Sequence, residues 1–72
     1  MNFKNATDGL FQHIRHVELA ETLNVSVAAI RQARLKRTAK AYREPPGNWR
    51  KAIIKLAQER ISRLQKLIGS LQ

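Results

Sequence analysis

Four polar side chains near the N-terminus have spacings that could support chemistry. His13 and His16 lie at i, i+3, which places both imidazoles on one face of a helix. Two such rings begin a metal site, but zinc needs a third and usually a fourth ligand. The chain has no cysteine, and Glu18 is the only carboxylate close by. Glu18 and Glu21 repeat the same spacing on a stretch that reads as solvent-facing, where a carboxylate pair has no acid–base work to do. No glycine-rich phosphate loop or nucleophile triad is present. No metal, no cofactor and no enzyme activity are therefore expected. Arg31 and Gln32 carry a different chemistry. Arg can bond the edge of guanine with two parallel hydrogen bonds, and Gln can do the same for adenine.

The cations around Arg31 and Gln32 are clustered. The 72 residues hold 14 Lys/Arg against 5 Asp/Glu, a net charge of +9. Between residues 31 and 55 lie Arg31, Arg34, Lys36, Arg37, Lys40, Arg43, Arg50, Lys51 and Lys55, with Glu44 as the one acid. Such a block attracts polyanions, nucleic acid foremost. The plainer reading of any single Lys or Arg is a solvated, solubilising charge.

The elements that position these side chains read as all-α. Residues 1–6 look loose. Thr7 or Asp8 can cap a first helix whose apolar face is Leu10, Phe11 and Ile14, ending near Arg15 and His16. A second helix is predicted over 17–23, with Val17, Leu19, Ala20 and Leu23 inward. Asn24 takes a tight turn, because Asn tolerates positive φ. Val25 plugs that turn into the core, and Ser26 caps a third helix running from Val27 to Arg37. Residues 39–48 form a linker that Pro45 and Pro46 bias toward extended backbone. Asn48 then caps a long final helix over 49–71. The expected parts are residues 1–38, the 39–48 linker and a 49–72 helix.

That last helix has a pattern of its own. Ile54, Ala57, Ile61, Leu64, Ile68 and Leu71 alternate at spacings of 3 and 4, an unbroken a/d heptad stripe. A chain this short buries a modest core and needs a further source of stability; without disulfides, self-association is the candidate. Ile at a with Leu at d suits a parallel two-stranded coil, while the e and g positions leave antiparallel pairing or a tetramer open. Ile53, Leu56 and Leu67 widen the stripe and are expected to dock on the N-terminal core or to reach further helices. Trp49 is expected to anchor the helix on that core. Residues 1–9 contain no apolar run and nothing approaches a membrane span, so neither a signal peptide nor a membrane partner is expected. The expected location is the cytoplasm, on the nucleoid.

At Leu19-Ala20, Leu23-Asn24-Val25-Ser26 and Ile30 the sequence resembles the helix-turn-helix of bacterial and phage transcriptional regulators. Ala20 is small where one helix crosses close over another; Leu19, Leu23, Val25 and Ile30 fill the wedge between them. Family members usually have Gly at the turn, where this chain has Asn24. The resemblance implies double-stranded DNA as partner, read through the major groove by a homodimer on an inverted repeat. It implies base contacts from Ser26, Val27, Ala28, Arg31 and Gln32. Phosphate contacts would come from Arg34, Lys36, Arg37, Lys40, Tyr42 and Arg43, which set affinity and register. With no ligand-binding domain, repression by occupancy is the expected mode, and no small-molecule effector is evident. Two alternatives remain: an architectural or recombination accessory factor of the excisionase kind, with Lys40–Trp49 as a wing, and a protein-interaction module such as an antitoxin or anti-regulator.

Overall fold

Asn2 starts the first helix by accepting the Asn5 amide on its side-chain oxygen at 2.8 Å. With that orphan donor satisfied, α1 runs Phe3–Leu10, starting at residues expected to be loose. Thr7 is no cap: it is fully buried in mid-helix, and its hydroxyl donates to the Phe3 carbonyl at 2.8 Å. The face that matters is Phe3, Thr7 and Leu10, one turn apart each time. The computed structural model, which describes residues 1–72, has four helices and no strand. No wing is therefore formed over Lys40–Trp49.

Residues 11–14 leave α1 through a tight turn in which the His13 and Ile14 amides both bond the Leu10 carbonyl at 3.0 Å. Arg15 and His16 belong to the next helix rather than to the end of the first. Arg15 is extended and its amide donates to Glu18 at 3.0 Å, opening α2 over His16–Leu23. Glu18 is thereby a structural carboxylate at a helix start. Leu19, Ala20 and Leu23 are buried, whereas Val17 is exposed.

Asn24 ends α2 in the left-handed conformation, φ 57° and ψ 46°. The Asn24 amide bonds the Glu21 carbonyl at 3.1 Å, and the Val25 amide reaches back to Ala20 at 3.0 Å. These two bonds are the Schellman closure that a left-handed residue permits. Val25 packs on the core. Ser26 follows at once, its oxygen accepting the Ala29 amide at 3.0 Å. Two helices are thus joined by three residues that each have a defined task.

The third helix, α3, is shorter than its sequence suggests. It covers Val27–Ala33, with Ile30 and Ala33 buried. The Arg34 and Leu35 amides bond carbonyls three residues back, which tightens the last turn and closes the helix. Residues 34–48 then run over the surface. The fourth helix, α4, spans Trp49–Leu71, as its periodicity indicates. Asn48 does not cap it by side chain: its backbone, φ −94° and ψ 17°, is not extended, so the amide oxygen cannot reach the first turn. The chain enters α4 through a backbone turn instead, Trp49 amide to Pro46 carbonyl at 3.1 Å.

One core serves the whole body. Phe3, Leu10, Ile14, Leu19, Ala20, Leu23, Ile30 and Ala33 cluster with Trp49 and Ala52 of α4. The Phe3 and Trp49 rings meet edge to face, 5.3 Å between centroids. Ile53 and Leu56 pack against this cluster, but Leu67 does not reach it and is 54% exposed. The first two turns of α4 complete the body. The rest projects from it, in a molecule 52 Å long and about 20 Å across.

Candidate nucleic-acid interface

The exposed side of α3 and the segment after it carry five exposed cations, Arg31, Lys36, Arg37, Lys40 and Arg43. Ser26, Ala28 and Arg31 are exposed, while Val27 and Gln32 are half-buried. Val27 packs against the core, and the Gln32 carbonyl accepts the Arg43 amide at 3.4 Å. That last bond folds the 34–43 segment back against α3. Lys36, Arg37, Lys40 and Arg43 are all exposed along it, and Tyr42 is half-buried. An open groove of about 700 Å³ separates this segment from the starts of α1 and α4, and Lys36, Arg37, Tyr42 and Arg50 line it. Between Val27 and Arg43 there is no acid.

Arg34 is placed differently from the free cation its sequence position suggests. Its guanidinium is turned back onto α1, where it forms an ion pair with Asp8. It also lies 5.2 Å from the Phe11 ring centroid and 3.4 Å from the His16 ring nitrogen. Its Nε is buried without a partner. Asp8 bonds Lys4 as well, at 3.0 Å. The hydrogen bond from Lys4 and then that from Arg34 hold the Asp8 carboxyl below its usual range. Arg34 is therefore a brace between α1 and the end of α3, and it also lines the groove beside Lys36 and Arg37.

His16 shares this brace. Its ring stacks on Phe11, 3.8 Å between centroids. Burial, and then the positive charges of Arg34 and Arg31, push its pKa below the ordinary 6.5. His13 is exposed on the turn. The spacing of Asp8 and Arg34, 26 residues apart, gives no sign of this brace in the sequence. The available signal was Asp8, an isolated acid beside Lys4 in a chain otherwise rich in unpaired cations.

On α4, the six stripe residues lie along the projecting part and its approach. Ile54, Ile61, Leu64 and Ile68 are between 50% and 55% exposed, and Leu71 is 78% exposed. Only Ala57 is half-buried. No helix is long and apolar enough to cross a membrane. No protein-family model matches this sequence, and no curated protein or solved structure is significantly similar to it.

Proposed function

We propose that this protein is a homodimeric, sequence-specific DNA-binding regulator that represses by occupying an inverted-repeat operator. The observation that carries the reading is a run of exposed polar and basic residues with no acid among them. A short capped helix presents Ser26, Ala28 and Arg31, and the acid-free segment that follows presents Lys36, Arg37, Lys40 and Arg43. The first group suits base edges in a major groove; the second suits the flanking phosphates. Gln32 and Val27 stand at the margin of this surface, each half-buried. Tyr42, half-buried in the basic groove, suits a single phosphate oxygen.

Dimerisation supplies the second half of the reading. Five large aliphatic side chains stand exposed in one stripe on α4. Scattered exposed Leu or Ile needs no explanation, but a contiguous stripe does. A second copy covers it and sets two recognition surfaces on one duplex.

Selection of bound duplexes from a random library, at about physiological salt to suppress contacts to phosphate alone, tests the reading. An inverted repeat is expected. Arg31→Ala should relax preference at one base in each half-site, by about 1–3 kcal/mol of discrimination. Lys36→Ala should weaken all sequences equally and flatten the salt dependence. A direct repeat would favour an accessory factor that assembles along DNA. No enrichment, or identical effects of the two substitutions, would sink the assignment of roles.

A further inference from the structure

We infer that the partner on the α4 stripe is a second copy running antiparallel, centred between Ile61 and Leu64. The inference rests on the dimer proposed above and fixes its geometry. Ile at a with Leu at d favours two strands where like layers stack in parallel, but Ala57 breaks that series at one of the three d positions. Direction follows from three features of this chain.

The first is Ala57. In a parallel coil Ala57 faces its own copy, between layers of paired Ile54 and paired Ile61. That layer lacks the volume of two large side chains, and such a void is destabilising. In the antiparallel register Ile54 meets the partner's Leu71, Ala57 meets the partner's Ile68, and Ile61 meets the partner's Leu64. All six positions are used, and the one small residue is always opposite a large one, as dense packing requires.

Leu67 is the second. It is 54% exposed and lies beyond the reach of the body. It occupies a g position, which in an antiparallel coil flanks another g position. There the aliphatic stem of the partner's Arg60 covers it, with the guanidinium left in water. At the e positions Gln58 flanks the partner's Gln65, amide against amide. A parallel coil sets Leu67 beside Gln72, the terminal residue, where it gains little cover.

The third feature is charge. Residues 1–55 hold eleven Lys/Arg and four Asp/Glu, a charge of +7. A parallel coil puts two such bodies at the same end of helices about 8–10 Å apart. The antiparallel register places Trp49 and its copy about 40 Å apart along the coil, at 1.5 Å per residue. That separation far exceeds the screening length of about 8 Å in physiological salt. It also approaches the roughly 34 Å between successive major grooves on one face of a duplex. The two-fold axis then lies across α4 rather than along it.

Single cysteines test the direction cleanly, because the chain has none of its own. Ile54→Cys and Leu71→Cys alter exposed side chains near the ends of the stripe, so the body should be unaffected. The two full-length variants are mixed in a glutathione redox buffer, and the disulfides are identified by peptide mapping. The expected product joins residue 54 of one copy to residue 71 of the other, in at least about tenfold excess over like-with-like pairs. Predominant 54–54 and 71–71 pairs would overturn the antiparallel arrangement and leave the dimer standing, as would an even mixture of all three. Sedimentation of the unmodified protein as a monomer at tens of micromolar would overturn the dimer itself.

Discussion

Phe3→Ala should remove most of this protein's stability. Phe3 is 5% exposed, lies in the first turn of α1, and meets Trp49 edge to face across the junction with α4. Truncating a buried Phe to Ala costs about 3–5 kcal/mol, the transfer loss plus the cavity left behind. A single core in a chain of this size supplies about 3–5 kcal/mol in all. The variant should therefore be largely unfolded at 25 °C, or retain about 2 kcal/mol at most. Phe3→Leu keeps much of the volume and should lose about 1–2 kcal/mol, giving a folded variant that can be measured. Urea titration at one fixed protein concentration is the assay, since self-association links stability to concentration. Trp49 is the only tryptophan, so its fluorescence reads the contact directly while far-ultraviolet circular dichroism follows the helices. Met1→Ala, at an 87% exposed neighbour, is the control and should change stability by less than about 0.5 kcal/mol. A Phe3→Ala protein within about 1 kcal/mol of the parent would refute the placement of Phe3 in the core.

Two further perturbations have expected outcomes. Asn24 holds φ 57°, so Asn24→Val, β-branched in a left-handed position, should destabilise by about 1–2 kcal/mol in urea titration, whereas Asn24→Gly should be neutral or mildly stabilising. His16 has a folded pKa below the unfolded value of 6.5, so the unfolded chain takes up its proton first as pH falls. The stability His16 contributes should be fully present above pH 6.5 and be lost progressively below it, with a slope no steeper than about 1.4 kcal/mol per pH unit. His16→Asn should remove that slope between pH 7.5 and 5, a window in which Asp8, its pKa lowered from 3.8, stays ionised; an unchanged slope would show that another group carries it.

The parts of the fold that were legible are those where local signals agree. Leu19, Ala20 and Leu23 give a helical period, Asn24 is a residue that tolerates positive φ, and Ser26 is a strong cap; each sits where the structure uses it. The start of α1 was obscured because Thr7 and Asp8 are both good cap residues. Thr7 can equally satisfy its hydroxyl on its own helix, and it does so at Phe3. Residues 34–37 carry nothing that breaks a helix, so the sequence alone extends α3 to Arg37. What stops them is tertiary, the pull of Arg34 onto Asp8 and the return of Arg43 to Gln32. Among Ile53, Leu56 and Leu67, only the reach of the body along α4 decides which are covered. That reach is a distance in space, and no spacing in the sequence encodes it.

Arg31 and Arg34 show most directly how context divides equal residue types. They stand three residues apart at the end of one seven-residue helix, and by composition either could meet a phosphate or a base. A helix this short has no stability of its own in water, so its direction must be fixed from outside. On one side the Asn24 closure and the Ser26 cap fix its start. On the other, Arg34 ties its end to α1 through Asp8 while lying against Phe11 and His16. Arg34 is committed to that brace because Asp8 sits within its reach; Arg31, with no acid facing it, stays in solvent. The brace fixes the end of α3, and with it the point from which the solvent-exposed Arg31 side chain projects. Under the DNA-binding reading proposed above, a base contact made with two parallel hydrogen bonds depends on where that point is held more than a phosphate contact does.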